Sequence, residues 1–295
     1  MSDSRLNGKR VVVSGSSKGL GRAFALALAA HGAHVLVNGT DAAAVADVVG
    51  TILGAGGVAA SVVGSVADDD VAAELVRTCV DRFGGIDVAI TNAGITRHKP
   101  LMETTPERFD ETIAVNLRGT WSVCRHAALA MRETGGLLLL IPSASAFTKA
   151  NGHSSYAASK AGVMGLMYSL SGELARYAIR VNAFGPTAVT AMTAPRVDVV
   201  RDQAVAAGEA PPSAASLGYG DPDDVAKAVV YLCSDDAAQL CNQFVRFNGR
   251  RLALWRHPAE ALLIDRDHWS VDDIAERFPR HQEPVCSPTP SSAPS

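Results

Sequence analysis

Short apolar runs alternate along the chain with longer segments in which apolar residues recur every three or four positions. The short runs, such as residues 11–13, are typical of strands buried on both faces of a sheet. The longer segments have helical spacing, as Val76, Val80 and Phe83 show between residues 68 and 83. Strands that alternate with helices predict a parallel sheet with right-handed crossovers. We therefore expect an α/β fold of the Rossmann-like, doubly wound type, with helices on both faces of the sheet.

The same pattern sets the number of elements. Seven strands are predicted, at residues 11–13, 34–37, 59–63, 86–90, 137–141, 180–184 and 243–247. Helices are predicted at residues 22–30, 42–53, 68–83, 105–131, 156–170 and 223–233.

Residues 190–220 show no clean period and contain three prolines, which is typical of a loop. We expect either a lid over the substrate or a loosely ordered surface loop. The apolar side chains of this segment would suit a largely apolar substrate; they are Met192, Val197, Val199, Val200 and Leu217.

A glycine-rich turn lies between the first strand and the first helix. Glycines at such a turn let the backbone approach a pyrophosphate, and the helix N-terminus offers N–H groups and a positive dipole end. The order of strand, turn and helix therefore predicts a dinucleotide site. Its candidate cofactor-binding residues are Gly15, Ser17, Lys18, Gly19, Leu20 and Gly21.

The end of the second strand bears on cofactor preference. An Asp or Glu placed there usually binds the ribose 2′-hydroxyl of NAD. This chain has Asn38, Gly39 and Thr40 instead, and Asp41 lies a little beyond. Without an acid to repel a 2′-phosphate, and with Lys18 to attract one, NADP(H) is favoured, while NAD(H) stays possible.

Polar residues follow the fourth and fifth strands, where ligands bind in open α/β sheets. Residues 92–94, Asn92-Ala93-Gly94, come after the fourth strand, and Ser143 comes after the fifth. Tyr156 and Lys160 are four residues apart at the start of a helix, so they share one face. An ammonium close to a phenol favours the phenolate, which predicts a lowered pKa for Tyr156 and a role as general acid/base.

With these motifs assembled, residues 6–249 resemble the short-chain dehydrogenase/reductase family. The glycine motif, the Asn-Ala-Gly motif and the interval from Ser143 to Tyr156 all match in order and spacing. The resemblance implies a catalytic tetrad of Asn116, Ser143, Tyr156 and Lys160. It also adds Asn38, Gly39, Thr40, Asn92, Ala93, Gly94, Pro186, Thr187 and Val189 to the cofactor-binding candidates, together with Tyr156 and Lys160.

The resemblance also implies an activity. It predicts hydride transfer between a nicotinamide and a ketone or secondary alcohol, of the 3-oxoacyl thioester or the steroid and cyclic ketone type. Tyr156 would be the general acid/base, Ser143 would hold the substrate oxygen, and Asn116 would hold a water in the proton relay. A non-catalytic, nucleotide-sensing or scaffold protein on the same fold is the alternative. A homotetramer or homodimer is expected.

Some positions depart from the family pattern. Gly39 replaces the acid of NAD-dependent members, and Thr40 stands where many NADP-dependent members have Arg. Ser14 replaces a usual Thr but keeps the hydroxyl. None of these changes removes a group that performs chemistry.

Composition excludes several other classes. The net charge is −3 and 19% of residues are charged, so no nucleic-acid partner is indicated. The five cysteines lack C-x-x-C spacing, which argues against a zinc site or a disulfide framework, and we expect no metal. No apolar stretch is long enough to span a membrane, and the N-terminus has no signal-peptide pattern. These features predict a cytoplasmic location.

The chain continues past the end of the typical family domain. We expect one domain at residues 1–249, an extension at 250–282 that docks on the core or on a neighbouring subunit, and a disordered tail at 283–295. Ser270 and Asp273 resemble a helix cap, which predicts a short helix at 271–278. Arg97, His98 and Lys99 could meet an anionic substrate group, although solvated charges are the usual interpretation.

Overall fold

The computed structural model describes residues 4–147, 151–255, 257–258 and 268–277. These residues fall into two compact units, Met1–Arg256 and His257–Ser295. The first unit contains one eight-stranded sheet with helices on both faces. Within its described part, the second unit contains one short helix. None of the helices in the described ranges is long and apolar enough to cross a membrane.

The elements follow in the predicted alternation. The strands are β1 Arg10–Val13, β2 His34–Gly39, β3 Val58–Val63, β4 Val88–Thr91, β5 Gly136–Leu140, β6 Ile179–Pro186, β7 Phe244–Phe247 and β8 Leu252–Trp255. The helices are α1 Gly19–Ala30, α2 Ala42–Gly54, α3 Asp69–Phe83, α4 Pro106–Ile113, α5 Gly119–Ala130, α6 Ser154–Leu174, α7 Ala194–Ala206, α8 Pro222–Cys233 and α9 Val271–Arg277.

The sheet has the strand order β3-β2-β1-β4-β5-β6-β7-β8, and its first seven strands are parallel. Both faces of the sheet are buried. Phe24 and Leu28 of α1 pack with Val229 of α8 on one face. Leu75 of α3 and Met167 of α6 belong to the core on the other. Burial on two faces explains why the central strands are continuous apolar runs.

The prediction of seven strands was one strand short, because β8 adds an antiparallel edge to β7. A turn at Asn248 and Gly249 joins the two strands; the Asn248 side chain accepts hydrogen bonds from two following backbone N–H groups, and Gly249 has a φ of +84°. Asn-Gly between apolar runs is a strong hairpin signal, and it was the available sign of this eighth strand. All four residues of β8 are apolar, so the alternation typical of a half-exposed strand is hidden.

Two further predictions need correction. The long helix predicted at residues 105–131 is interrupted by a π-helical turn at Ala114–Arg118, which contains Asn116. The segment 190–220, predicted as a loop, contains helix α7. Only Val197 of α7 is buried, so its sequence has no apolar stripe to indicate a helix.

The predicted extension begins as a strand of the sheet, since β8 lies within the first unit. The predicted cap is present at α9: the Ser270 backbone N–H donates to the Asp273 carboxylate, and the Asp273 N–H donates to the Ser270 hydroxyl. Docking of the remaining extension on the core or on a neighbouring subunit stays a prediction. Phe278 and the tail at 283–295 lie outside the described residues.

Trp255 anchors β8, and its removal should destabilise the protein. Its ring lies 5.2 Å from that of Phe147 and 5.3 Å from that of Phe244, between centroids. Trp255→Ala should lower the free energy of unfolding by about 2 kcal/mol, because two aromatic contacts and buried area are lost. Leu252→Ala, on the exposed side of the same strand, should change it by less than about 0.5 kcal/mol. Urea unfolding followed by circular dichroism measures both, and equal effects would contradict the anchoring role.

Candidate active site

The candidate site lies where the strand order reverses. β1 is flanked by β2 on one side and by β4 on the other, and the chain crosses from one half of the sheet to the other between them. The carboxyl ends of β1, β4 and β5 therefore meet at a crevice, which is the usual ligand site of open α/β sheets.

The glycine-rich turn approaches the segment after β4 too closely for side chains. A Cβ on Gly15 would lie 2.7 Å from the Cα of Ala93, and Gly15 has a φ of +64°. A Cβ on Gly21 would collide with the carbonyl oxygen of Gly15 and would lie 2.5 Å from the side-chain nitrogen of Asn92. These positions require glycine for steric reasons, independently of any ligand.

Hydrogen bonds hold this close approach. The Asn92 side-chain amide donates to the carbonyls of Ser14 and Gly15, at 3.1 and 2.9 Å. The Ala93 N–H donates to the Ser14 hydroxyl at 3.1 Å. Ser14 replaces the Thr that the family usually has here, and its hydroxyl, which both residue types possess, thus has a structural task. Asn92 and Ala93 lie beside the predicted cofactor turn, as their motif predicts.

Asn38 has a structural task, and its contact with the cofactor stays a prediction. Its side chain is buried; the side-chain oxygen accepts from the Gly15 N–H at 3.1 Å, and the side-chain nitrogen donates to the carbonyls of Val62 and Gly64. It therefore ties the turn to β3. Gly39 is equally constrained, because a Cβ there would lie 2.7 Å from the Cβ of Ser17. This contact explains why no acid stands at the end of β2.

Lys18 is not a free cation. Its ammonium lies 2.7 Å from the Asp41 carboxylate, and both side chains are exposed. This contact lowers the pKa of Asp41, and the N–H of Ala44 at the start of α2 lowers it further. Asp41 lies beyond the end of β2 in sequence, but in space it pairs with Lys18, the residue predicted to attract a 2′-phosphate.

The segment after β6 reaches the same crevice. The Thr187 N–H donates to the carbonyl of Phe247, and the Val189 N–H donates to that of Gly220. A Cβ on Gly19 would lie 3.6 Å from Thr190. Residues 186–190 and the glycine-rich turn therefore border one site from two sides. Thr190 was absent from the sequence candidates.

Ser143 and Tyr156 meet at the carboxyl end of β5. Ser143 follows the strand, and Tyr156 lies in the first turn of α6. The Ser143 and Ser145 hydroxyls are 2.8 Å apart, and the Ser145 N–H points to the Ser143 oxygen at 3.3 Å. Ser145 is thus a site residue that sequence reasoning missed; a second Ser two residues on was the available signal.

Lys160 lies beneath Tyr156 and is 3% exposed. Its ammonium donates to the Ile141 carbonyl at 2.8 Å and lies 5.8 Å from the centre of the Tyr156 ring. Burial lowers the pKa of Lys160 to about 8. A Cβ on Gly94 would lie 3.4 Å from this ammonium, so the Asn-Ala-Gly segment reaches the catalytic candidates.

The pKa of Tyr156 differs from the prediction. Burial raises it above its ordinary value, and the nearby Ser143 hydroxyl lowers it by a smaller amount. The expected lowering of the Tyr156 pKa by Lys160 was wrong for this arrangement, because desolvation of the phenolate is the largest effect on that pKa. Tyr156 is therefore a protonated phenol at neutral pH.

Asn116 is fully buried at the π-helical turn. Its side-chain oxygen accepts from the Ile95 N–H at 2.8 Å, and its nitrogen donates to the Ile95 carbonyl and to the Ser159 hydroxyl. Ser159 in turn donates to the carbonyl of Tyr156 at 2.8 Å. Asn116 thus positions the first turn of α6 against the Asn-Ala-Gly segment, and its water-holding role stays a prediction.

The crevice has features that suit a dinucleotide. Gly15 and Gly21 leave the backbone open where side chains would obstruct a phosphate. The first turn of α1 has no side-chain cap, while α2, α3 and α8 are capped by aspartates. Free N–H groups at a helix N-terminus are suited to phosphate oxygens. Within the described ranges, no group of three His, Cys, Asp or Glu side chains could hold a metal ion.

Known proteins share this architecture along most of the chain. The family model described as enoyl-(acyl carrier protein) reductase matches residues 15–248. A hydroxyacyl-CoA dehydrogenase of Mycobacterium tuberculosis is 36% identical over 281 residues, which cover 90% of this chain and 86% of the relative. A 3-oxoacyl-[acyl-carrier-protein] reductase of Staphylococcus aureus is 33% identical over 244 residues, 82% of this chain and 97% of that one. The crystal structure of a short-chain dehydrogenase from Mycobacterium avium superposes with a TM-score of 0.79 at 32% identity, covering 92% and 94% of the two chains.

Two glycine substitutions test the steric argument. Gly15→Ala should lower the free energy of unfolding by about 2 kcal/mol or more, through the left-handed backbone and the clash with Ala93. Gly50→Ala, in α2 with open space around it, should raise it by about 0.5–1 kcal/mol. Urea unfolding measures both changes. A Gly15→Ala protein as stable as the wild type would refute the close approach.

Proposed function

The chain belongs to the short-chain dehydrogenase/reductase family of oxidoreductases, and we propose that it reduces a ketone to a secondary alcohol with Tyr156 as the general acid. The observation that carries this proposal is the convergence of three side chains. Ser143 at the end of β5 and Tyr156 and Lys160 in α6 meet beside the Asn-Ala-Gly segment. A phenol, a hydroxyl and an ammonium at one crevice can bind a carbonyl oxygen and protonate it.

The raised pKa of Tyr156 supports the reductive direction. A phenol that keeps its proton at neutral pH can donate it to an alkoxide as that charge develops on the substrate oxygen. Oxidation of an alcohol would require the phenolate, which burial disfavours. Near neutral pH the free site therefore holds Tyr156 in the protonation state that reduction requires.

Ser143 would orient the substrate oxygen toward Tyr156. Because the Ser145 N–H and hydroxyl both contact the Ser143 oxygen, the Ser143 hydroxyl is held in place and can donate to a carbonyl. Fixing a donor before the reaction reduces the reorganisation that the transition state requires.

Lys160 would supply positive charge below the phenol. With a pKa of about 8, it is mostly an ammonium at neutral pH, and its bond to the Ile141 carbonyl fixes its position. A nearby cation stabilises the tyrosinate that remains after proton donation. Asn116 would keep Tyr156 in register by holding Ser159.

A nicotinamide dinucleotide, when bound, supplies the hydride that this chemistry needs. Gly15, Ser17, Gly19, Leu20 and Gly21 would hold its phosphates at the N-terminus of α1. Residues 92–94 and the backbone of residues 186–189 would border the rest of the molecule. Thr40 and Lys18 would lie nearest to the adenine-side ribose.

NADP(H) remains the favoured cofactor in this proposal, and NAD(H) remains possible. Gly39 presents no acid to repel a 2′-phosphate, which supports NADP(H). The ion pair of Lys18 with Asp41 opposes it, because a phosphate would have to compete with a carboxylate for the ammonium. We therefore propose a modest preference rather than a strict one.

A 3-oxoacyl thioester is the proposed substrate class. The names of two relatives, a 3-oxoacyl-carrier-protein reductase and a hydroxyacyl-CoA dehydrogenase, support it over a steroid or cyclic ketone. The non-catalytic alternative has no comparable support, since the residues of all four catalytic positions are present. A homotetramer or homodimer stays part of the proposal.

Removing the phenol oxygen of Tyr156 should impair catalysis while leaving cofactor binding nearly unchanged. Tyr156→Phe should lower kcat for ketone reduction by at least about a thousandfold, because the proton donor is removed. Its dissociation constant for NADPH, measured by nicotinamide fluorescence, should stay within about threefold of the wild type. Tyr168→Phe, in the same helix, should leave kcat within about twofold. A Tyr156→Phe enzyme with normal kcat would refute the mechanism.

The Lys18–Asp41 pair gives a test of cofactor preference. Asp41→Asn should strengthen NADPH binding about three- to tenfold, because the ammonium becomes available and Asn still caps α2. NADH binding should change by less than about twofold. Asp47→Asn, which breaks the exposed pair with Arg22, is the matched control. Equal tightening of NADPH and NADH in Asp41→Asn would show that this pair does not control the preference.

A further inference from the structure

A pair of histidines lies against the proposed proton donor. The rings of His98 and His153 are 4.7 Å apart between centroids and meet edge to face. The ring of His153 meets that of Tyr156 in the same way, at 6.2 Å. Neither histidine belongs to the tetrad, and nothing in the proposed chemistry uses them so far.

The local backbone is arranged around this pair. The Lys99 N–H donates to the Gly152 carbonyl at 3.0 Å, and the His98 Nε2 lies 3.1 Å from the Asn151 carbonyl. Gly152 has a φ of +69°, and a Cβ there would lie 2.6 Å from the His98 Nε2. The segment after Gly94 is thereby fastened to the segment before α6, and the two rings are held in place.

The surroundings of His153 keep it neutral. Burial lowers its pKa, and His98 and Arg196 lower it further. No carboxylate of the described residues is among the groups that act on it. Its Nδ1 is enclosed without a hydrogen-bond partner. An enclosed N–H without an acceptor is costly, so the proton belongs on Nε2, which has no protein partner in the described part of the chain.

The neighbouring charges are otherwise occupied. Arg97 forms a two-pronged ion pair with Glu111, and Lys99 pairs with Glu103, so the expectation of ordinary surface charges applies to both. Arg196, in the first turn of α7, is exposed and has no ion-pair partner among the residues that the structure describes. The surroundings of Tyr156 thus offer one N–H donor, on His153, and one exposed guanidinium, on Arg196, whose charge acts on His153.

We propose that His153 donates a hydrogen bond from Nε2 to a second oxygen of the substrate, so that the enzyme selects 3-oxo acyl compounds over simple ketones. This inference rests on the proposed function. Tyr156 and Ser143 take the oxygen that is reduced, and His153, three residues before Tyr156 on the same side, takes the oxygen one methylene group away. That second oxygen is the carbonyl of an ester or thioester, or a carboxylate, in which case Arg196 contributes as well.

Matched probes test the selection. Ethyl acetoacetate has the second carbonyl, and 2-hexanone lacks it. His153→Leu should lower kcat/KM for ethyl acetoacetate about tenfold, mainly through KM, and leave kcat/KM for 2-hexanone within about twofold. His153→Gln, whose amide nitrogen can replace Nε2, should recover much of the loss, whereas His153→Asn should not. An equal loss for both probes, or for neither, would overturn the inference.

The identity of the second oxygen needs a charged probe. If it is a carboxylate, Arg196→Gln should lower kcat/KM for acetoacetate about tenfold and spare ethyl acetoacetate; if it is a neutral carbonyl, Arg196→Gln should change neither. Lys99→Gln removes an equal charge that is already paired and is the control. A loss that is as large in Lys99→Gln would show a general charge effect and contradict the role of Arg196.

A binding measurement separates this inference from the proposed function. In a Tyr156→Phe background, calorimetric titration with the N-acetylcysteamine thioester of acetoacetate should show binding that His153→Leu weakens about tenfold. Binding that depends on His153 in this background, together with no turnover of the thioester by the wild-type protein, would sustain the inference and refute the reductase. Turnover that depends on Tyr156, combined with thioester binding that is absent or that His153→Leu does not change, would support the reductase and refute the inference about His153.

Discussion

The buried ammonium of Lys160 is the constraint on which the rest of the site depends. It has one described hydrogen-bond partner, the Ile141 carbonyl, and burial lowers its pKa to about 8. Since each pKa unit corresponds to about 1.4 kcal/mol, burial of this charge costs the folded state about 3 kcal/mol at neutral pH. The folded pKa lies below the unfolded one, so this cost disappears as the pH rises from about 8 toward 10.5. Buried charges of this kind cluster at functional sites, and this one lies 5.8 Å from the centre of the Tyr156 ring.

The second constraint is the close approach of the glycine-rich turn to the segment after β4, at Ala93. The sequence largely predicted this feature. Glycines at 15, 19 and 21, followed by a helix, leave few structural alternatives. The structure explains Gly15 and Gly21 by close contacts with Ala93 and with Gly15 itself, and Gly19 by its φ of +54°. The strands were predictable for the same reason, because burial on both faces makes them continuous apolar runs. Where a contact permits one residue type only, that residue type can be recognised in the sequence and the contact can be predicted. The tetrad positions followed from the family resemblance, which rests on the order and spacing of the motifs along the chain.

What the sequence could not predict depends on environment rather than on residue type. The resemblance placed Asn116 in the tetrad, but only the fold shows the π-helical turn that buries it against Ile95 and Ser159. The spacing of Tyr156 and Lys160 suggested a lowered tyrosine pKa, but the desolvation that reverses the shift depends on packing from distant segments. Helix α7 was missed because it buries one side chain, so its pattern resembles that of a loop. Asp41 was dismissed by its distance in sequence, although it contacts Lys18 in space.

These two groups of features divide the molecule by function. The groups that would perform the reduction lie at the end of β5 and in α6, and they are partly or fully buried. Their backbone partners do not depend on which substrate of this reaction class is bound. The groups that would recognise a substrate or cofactor lie at the rim, where Lys18 and Arg196 are exposed and His153 is half-buried. Substitutions at the rim add or remove a few hydrogen bonds or ion pairs with a ligand, and so they change affinity without disturbing the core. Substitutions beneath Tyr156 disturb both the fold and the chemistry. Selectivity in this chain can therefore vary while its reaction does not.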